Sequence, residues 1–124
     1  MGGLTFDTGA LTALERRSQR IRSIWTAVIE KERIVTVPSA VIAEWWRGRT
    51  DIRDSILAHV RIEPLDEALA KSAGETLATM PRATMVDAIV MASAARRGDI
   101  VYTSDFEDLE ALRAIFPAVR VLRV

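Results

Sequence analysis

The sequence predicts an α/β fold built on a mostly parallel sheet. The first observation is an alternation of short apolar runs with longer stretches of helical periodicity, which is typical of βαβ units. The second is length, because 124 residues suffice for one compact core and are too few for two. The third is that no repeat or low-complexity linker interrupts the chain. We therefore expect a single domain over residues 1–124.

Five segments have the length and composition of strands. They are residues 4–6, 34–37, 60–62, 100–103 and 119–122. Each is bounded by turn residues or by helical periodicity, so parallel pairing through helical crossovers is favoured.

Helices are predicted between the strands of the first half. The stretch 8–17 follows the first strand, and Ser18 can cap a second helix that carries one apolar stripe. Pro38 begins a third helix, which we expect to end at Gly48, since Pro is common near helix starts and Gly past helix ends. A short helix over 51–59 follows.

The second half of the chain contains three further predicted helices. Asp66 can cap an amphipathic helix after the third strand. The segment 85–95 is apolar on every side, and such a helix is expected to be buried. Asp87 is the only charge inside it. The last helix is predicted over 106–116.

Composition limits the function classes. The chain has no cysteine, one histidine and a formal net charge of zero. A disulfide framework and a zinc–thiolate site are therefore excluded, and a general basic surface for nucleic acid is missing. No apolar run reaches the roughly 18 residues of a membrane span, and no leader pattern opens the chain. We expect a cytoplasmic protein without membrane attachment.

Four carboxylates stand where a strand passes into a helix, or inside a helix: Asp7, Glu44, Asp87 and Asp105. In open α/β sheets the ligand crevice lies beyond the carboxyl ends of the strands, so parallel topology would bring such residues together. A cluster of like charges stays ionised when cations neutralise it, and oxygen ligands without His or Cys favour Mg²⁺ or Mn²⁺. The pattern predicts a hard-cation site and phosphate chemistry.

Structural explanations compete with this one. Asp7 could cap the helix that follows it, Thr84 to Asp87 fits a capping box, and Asp105 with Asp108 has the same cap-plus-third-position spacing, because free amides and the helix dipole favour aspartate at helix starts. Glu44 lies within its helix, and its alternative is an exposed pair with Arg47, worth about 0.2–0.5 kcal/mol. Glu44 and Asp87 therefore carry the metal hypothesis further than the two strand-end acids.

Other residue patterns point to packing or to phosphate contacts. We interpret the single histidine, His59, and the three tryptophans as surface or packing residues, because they lie in amphipathic stretches. Arginines around Arg16, Arg47 and Arg49 suit phosphate oxygens, with solvated helix faces as the alternative. No P-loop, dinucleotide fingerprint or nucleophile elbow is present.

Four segments, in order, resemble the motifs of PIN-domain ribonucleases. They are LTFDTGAL at 4–11, VPSAVIAE at 37–44, DAIVMASA at 87–94 and VYTSDFEDL at 101–109, and they span nearly the whole chain. The size is similar to that of VapC-type toxins of bacterial toxin–antitoxin modules. One departure is Leu109, where the family often has an aromatic residue.

The resemblance implies a three-layer α/β/α sandwich with a central, mostly parallel, five-stranded sheet. It also implies Mg²⁺- or Mn²⁺-dependent cleavage of RNA, homodimerisation and inhibition by a cognate antitoxin. Thr8 and Thr103 would be supporting hydroxyls, and Arg16, Arg47 and Arg49 would be candidates for RNA binding. The metal ligands carried over by position are Asp7, Glu44, Asp87 and Asp105, with Asp108 as an auxiliary acid.

Other functions stay open. One is a catalytically silent PIN-like module that binds RNA or protein, and another is a stand-alone RNA-processing nuclease. A response-regulator-like phosphoacceptor domain is disfavoured. It would need an Asp at the end of the third strand and a Lys at the end of the fifth, where Glu63 and Arg123 stand.

Overall fold

A computed structural model describes residues 2–124, and residue 1 of the predicted domain lies outside this described part. The strands are β1 (Leu4–Phe6), β2 (Val35–Pro38), β3 (Arg61–Glu63), β4 (Ile100–Thr103) and β5 (Arg120–Arg123). They form one sheet in the order β3-β2-β1-β4-β5, and every neighbouring pair is parallel. The predicted parallel sheet is confirmed.

The strands lie within one residue of the positions predicted from the sequence. β1 and β4 have the predicted bounds, whereas β2, β3 and β5 each lie one residue further along the chain. The shift arises because pairing, and not the first apolar side chain, decides where a strand begins. In this register Thr36 pairs with Arg61, and Ile100 pairs with Arg120.

Seven α-helices connect these strands in the described residues. They are α1 (Thr8–Glu15), α2 (Gln19–Glu30), α3 (Ser39–Trp45), α4 (Asp51–Leu57), α5 (Glu67–Thr79), α6 (Met85–Arg97) and α7 (Phe106–Ala111). A 3-10 turn, Leu112–Ala114, continues the last helix, so the predicted helix over 106–116 is α-helical only in its first part. None of the helices in residues 2–124 combines the length and apolarity that a bilayer crossing requires.

The third helix ends earlier than predicted. α3 stops at Trp45 because Trp46 adopts extended backbone angles, so Gly48 is not the residue that ends it. Gly48 has a φ of 113° and makes the turn toward α4 instead. Thr50 then caps α4, and its side chain accepts a hydrogen bond from Arg53 N–H.

Helix caps follow the sequence in part. Asp66 accepts a hydrogen bond from Leu69 N–H at 2.8 Å and caps α5 as predicted. Ser18 precedes α2, but its side chain makes no capping hydrogen bond, so that prediction is wrong. The Ser18 N–H is bonded instead to the carbonyl of Ala13 at 3.0 Å, which closes the end of α1.

Helices cover both faces of the sheet. α1 contacts α2, α3 and α4, whereas α5 packs on α6, which in turn contacts β1, β2 and β4. The α6 residues 88–94 are all buried, as predicted for a helix that is apolar on every side. The result is the predicted three-layer α/β/α sandwich of PIN-like form.

The topology creates a crevice between β1 and β4. From the central strand β1 the chain moves to β2 and β3 on one side, then crosses to β4 and β5 on the other. Strand order therefore reverses between β1 and β4, and ligands of open α/β sheets bind outside the carboxyl ends of the strands at that point. Asp7 directly follows β1, and Asp105 lies just beyond β4.

Candidate functional site

Asp7 is the most buried of the predicted acids, with 3% of its surface exposed. It caps α1, because its Oδ1 accepts a hydrogen bond from Ala10 N–H at 2.8 Å. Its Oδ2 accepts a second bond from the hydroxyl of Thr103. Capping therefore accounts for only one of the two carboxylate oxygens.

The charge of Asp7 is electrostatically unfavourable. Burial is the main cause that raises the pKa of Asp7 from 3.8 to about 6, and the carboxylates of Asp105 and Asp87 contribute to this rise. The bonds from Thr103 and Ala10 oppose this shift in the pKa. No Arg or Lys of residues 2–124 forms an ion pair with Asp7. Asp7 is a buried carboxylate without a positive partner.

Thr103 links Asp7 to the turn that carries Asp105. It is fully buried at the end of β4. Its hydroxyl donates to Asp7 and accepts from the Asp105 N–H at 2.8 Å. The strand register explains the contact: Phe6 pairs with Tyr102, so the residues that follow them lie side by side. Thr103 stands where the sequence places a supporting hydroxyl.

Gly9 allows α1 to approach this turn closely. A Cβ at Gly9 would lie 1.9 Å from Ser104 Oγ and 3.1 Å from Ser104 N. Any side chain larger than hydrogen would therefore push the helix away from the turn. Sequence patterns alone do not mark Gly9 as a residue of the site. Its only signal is a glycine in a helix, a residue with low helix propensity.

Glu44 reaches the site from α3. Its side chain is exposed, and its Oε1 accepts a hydrogen bond from the Thr8 hydroxyl at 2.5 Å. Arg47 is not its partner, because the Arg47 guanidinium donates to the Trp46 carbonyl at 2.8 Å. The helix-pair explanation for Glu44 is therefore wrong, and Thr8 instead ties Glu44 to α1.

A second hydrogen-bonded group fixes α3 beside Glu44. The buried Trp45 donates its indole N–H to Glu15 of α1 at 3.0 Å. The other Glu15 oxygen pairs with Arg53 of α4 at 2.9 Å, and Arg53 also donates to the Gly48 carbonyl at 2.9 Å. These contacts connect three helices. The sequence analysis missed them because their members are far apart along the chain.

Asp87 enters the site on α6 and is half-buried. Its N–H donates to Thr84 Oγ1 at 3.1 Å, so Thr84 is the cap of this helix. Burial is the main cause that raises the pKa of Asp87 to about 6, together with the charges of Asp105, Asp108 and Glu44, while the Thr84 hydroxyl beside the Asp87 carboxylate opposes the shift. Acids from α3 and from the region around α7 therefore lie close enough to disfavour the ionised form of Asp87.

Asp105 and Asp108 are exposed. Asp105 occupies the position before α7, but its carboxylate makes no capping hydrogen bond, so the capping explanation is wrong for this residue. Like Asp7, neither acid forms an ion pair with an Arg or Lys in the described part of the chain. The same holds for Glu44 and Asp87. We call these five residues the acid cluster.

The acid cluster fits a hard divalent cation by its donor chemistry. It offers only carboxylate oxygens, which Mg²⁺ and Mn²⁺ prefer, and its negative charge has no protein counter-ion within residues 2–124. In the same residues no group of three or more His, Cys, Asp or Glu side chains is close enough to hold an ion as it stands. Mutually repelling carboxylates spread apart unless a cation holds them. The acid cluster is a candidate site and not a formed cage.

The three arginines that are candidates for RNA binding have different surroundings in the structure. Arg49 pairs with Asp54 at 2.7 Å, and Arg47 is engaged with a main-chain carbonyl. Arg16 is exposed and is the one of the three that lines a cavity shared with Glu44 and Asp105. Arg16 is therefore the best placed for contact with a ligand at the acid cluster.

The histidine and the tryptophans pack as predicted. The ring of His59 packs edge to face on Trp25, with 6.0 Å between the ring centroids, and its Nδ1 lies 2.8 Å from the Ser55 carbonyl. The ring centroids of Trp45 and Trp46 are 6.1 Å apart. All three tryptophans pack within or against the main core. None is presented as an open stacking platform.

The fold is shared with solved proteins, although no family model and no curated protein matches the sequence. A chain of DNA-bound VapBC from Salmonella typhimurium has a TM-score of 0.76 at 15% identity, over 99% of this chain and 98% of that one. VapC20 from Mycobacterium tuberculosis, a sarcin–ricin-loop-cleaving toxin, has a TM-score of 0.69 at 24% identity, over 94% and 98%. A chain of VapBC-5, a member of the VapBC family of toxin–antitoxin systems from the same organism, has a TM-score of 0.56 at 23% identity, over 98% and 99%.

These likenesses establish the fold over nearly the full length of the chain. The resemblance seen in the four sequence motifs is confirmed at this level, since the structural neighbours are toxin–antitoxin proteins of the VapC type. What the acid cluster does in this chain is a separate question.

Proposed function

We propose, from this shared fold and from the acid cluster at its crevice, that the chain is a Mg²⁺- or Mn²⁺-dependent endoribonuclease and the toxin of a toxin–antitoxin pair. The observation that carries the proposal is the buried, unpaired Asp7. A pKa raised from 3.8 to about 6 corresponds to roughly 3 kcal/mol against the charged form. A perturbed acid in a crevice is typical of functional sites.

The acid cluster would hold the metal through four ligands, Asp7, Glu44, Asp87 and Asp105, with Asp108 at its edge. Such an ion, when bound, supplies an activated water and charge stabilisation at a phosphate. Thr103 orients one oxygen of Asp7, and Thr8 orients one oxygen of Glu44. Both carboxylates are therefore positioned by hydrogen bonds before any substrate arrives.

Hydrolysis by water is the reaction that these residues support. The ring of the single histidine, His59, packs against Trp25, and its Nδ1 lies 2.8 Å from the carbonyl of Ser55 in α4. It therefore offers no base to the crevice. RNA is the proposed substrate because VapC20, which shares the fold, is a sarcin–ricin-loop-cleaving toxin. Without a cation the carboxylates would repel a phosphodiester, and with one bound they would accept it for in-line attack by water.

The direct test is RNA cleavage by Asp7→Asn and Asp87→Asn in Mn²⁺. We expect each variant to lose more than about 100-fold in activity, because even residues that only support metal ligands commonly contribute 10–100-fold. Glu67→Gln, on the exposed start of α5, is the matched control and should cleave like wild type. Equal cleavage by all four proteins would reject the acid cluster as the active site. A wild type that binds RNA without cutting it would favour the silent binding module.

We also propose a cognate antitoxin as protein partner and a homodimer as the assembly, as the PIN-domain resemblance implies. Where a small reading frame adjoins the gene, co-expression of the two should yield a complex and relieve growth arrest. Sedimentation of the chain alone should give twice the chain mass. A protein that is toxic alone but has no neighbouring inhibitor would be a stand-alone nuclease, which is the alternative.

A further inference from the structure

We propose that the crevice holds the RNA backbone at two arginine subsites, one at Arg16 and one at Arg82, with the acid cluster and the scissile phosphate between them. This inference rests on the proposed function and specifies how its substrate lies. It assigns a position and a charge partner to the nucleotides on both sides of the cut.

The first subsite is a cavity of about 500 Å³ on the α1 side of the acid cluster. Arg16, Thr12 and Thr8 follow one another at intervals of four residues, so they lie along one face of α1. Glu44 and Asp105 line the same cavity. A phosphate bound at Arg16 would therefore lie within the space that also contains two of the acids.

The second subsite is a smaller cavity, of about 140 Å³, on the α6 side. Arg82 and Met80 line it from the loop before α6, and Asp87 and Asp108 line it from the acid cluster. The two cavities thus divide the acid cluster, each taking two of its members.

The two cavities meet at the acid cluster. Asp105, which lines the first cavity, and Asp108, which lines the second, are one turn apart at the start of α7. The buried Asp7 is joined to the Asp105 turn through the Thr103 hydroxyl. A strand that enters at Arg16 and leaves at Arg82 therefore crosses the acids, and does not pass beside them.

The charges explain why both ends need an arginine. An acid cluster without counter-ions repels a polyanion, so local cations must hold the strand on either side of it. The guanidinium groups of Arg16 and Arg82 make no hydrogen bond or ion pair within residues 2–124, whereas Arg53, Arg96 and Arg97 are all paired. Free guanidinium forks match phosphate oxygens bidentately.

The residues that line the two cavities also indicate which part of the RNA is recognised. No aromatic side chain of the described residues lines either cavity, so base stacking has no platform there. Affinity would come mainly from phosphate contacts and would depend strongly on salt. Because phosphates are held on both sides of the acids, internal linkages should be cut in preference to terminal ones.

The experiment compares Arg16→Ala and Arg82→Ala with Arg120→Ala. Arg120 is also exposed and without an ion pair, but it begins β5 at the opposite end of the sheet, so it controls for the loss of one positive charge. All three changes are made in the Asp7→Asn background, which prevents cleavage. Binding of a labelled, unstructured RNA of about 12 nucleotides is followed by anisotropy at several salt concentrations.

Each subsite variant should weaken RNA binding about fivefold or more. It should also lower the slope of log binding constant against log salt concentration by about 0.7, the value for one single-strand phosphate contact. Arg120→Ala should leave both unchanged. In the Asp7-containing protein, the same two arginine changes should raise KM for cleavage with little effect on kcat. Thermal melting checks that the variants fold.

The outcomes separate this inference from the proposed function. Wild type that cleaves RNA, with both subsite variants binding like Arg120→Ala, would overturn the subsites and leave the nuclease intact. Arginine-dependent binding without cleavage by wild type would support the subsites and reject the nuclease. Absence of RNA binding by the Asp7→Asn protein would overturn the subsites.

Discussion

Asp7 and Asp99 are both almost fully buried, with 3% and 4% of their surfaces exposed, yet their surroundings are opposite. Asp99 precedes β4 and accepts hydrogen bonds from Gly3 N–H at 2.7 Å, Thr5 at 2.8 Å and the Arg97 guanidinium at 2.9 Å. Asp7 follows β1 at the other end of the sheet and forms no ion pair with a cationic side chain of residues 2–124. The protein satisfies one buried carboxylate completely and leaves the other without a counter-ion.

The paired region extends beyond Asp99. Arg97 also pairs with Glu63 at the end of β3, and Arg96 bridges Glu63 and Asp66 at 3.4 and 3.0 Å. This network ties α6 to the sheet and to the start of α5, and its charges have partners within the fold. Within residues 2–124 the acid cluster has no such partner. Carboxylates that hold the fold together are therefore distinct from carboxylates that are available to a ligand.

The largest expected effect is on stability. Asp99→Asn should lower the free energy of unfolding by about 3–5 kcal/mol, because Arg97 loses one of its two carboxylate partners and the new amide N–H must face a buried donor that Asp99 accepts from. Asp7→Asn, at similar burial, should match or exceed the metal-free wild type, since it removes an unpaired charge. Urea unfolding in the presence of a chelator measures both. Equal losses of stability in the two variants would contradict the distinction between the paired network at Asp99 and the acid cluster.

A smaller effect is expected with pH. The folded-state pKa of Asp7, and that of Asp87, is raised from 3.8 to about 6, so the folded chain binds protons more readily than the unfolded chain between these values. The free energy of unfolding of the metal-free protein should therefore fall as pH rises through this window, by up to about 3 kcal/mol from Asp7, and level off above it. The double variant Asp7→Asn, Asp87→Asn should lose this slope. A slope that persists in the double variant would place its origin elsewhere.

Thr103→Val tests how far the acid cluster depends on the hydroxyl of Thr103. The substitution removes the donor to Asp7 and the acceptor for the Asp105 N–H while nearly preserving shape. We expect a 10–100-fold loss of RNA cleavage, as for residues that orient metal ligands. Thr76→Val is the matched control, because this buried hydroxyl bonds only to the Ser72 carbonyl within its own helix. Full activity in Thr103→Val would show that Asp7 needs no support.

The smallest expected effect concerns two helical glycines. Gly74→Ala in α5 meets no atom within 4 Å and should stabilise the fold by about 0.5–1 kcal/mol through helix propensity. Gly9→Ala should destabilise it by about 1 kcal/mol or more, because a Cβ there collides with Ser104. Thermal melts distinguish the two signs. Stabilisation by Gly9→Ala would mean that the turn at Ser104 yields easily.

Sequence reasoning reached the fold because its signals are local. Strand-like runs, capping residues such as Asp66 and the wholly apolar stretch of α6 each depend on neighbours within a few positions. The convergence of Asp7 and Asp105 also followed, since parallel strands bring their carboxyl ends together. What remained out of reach were contacts between distant segments, such as Glu15 with Trp45 and Arg53, and the close approach at Gly9. No local pattern encodes the space between two helices.

The capping explanations show the same limit. Asp7 does cap α1, whereas Asp105 occupies a cap position without making the bond. The Thr103 hydroxyl, two residues earlier in β4, already accepts the Asp105 N–H, and Thr103 is itself bonded to Asp7 after the neighbouring strand β1, so a long-range contact helps to fix this turn. A sequence can identify a cap position, but the packing around it decides where the carboxylate is used.

The central claim is that the acid cluster binds a divalent cation, and the most direct measurement is the melting temperature during a Mn²⁺ titration. A bound ion stabilises the folded state in proportion to RT ln(1 + [L]/Kd). We predict that the melting temperature of wild type and of Glu67→Gln rises with Mn²⁺ and that Asp7→Asn does not respond. A flat response from wild type, or an equal rise in Asp7→Asn, would contradict the claim.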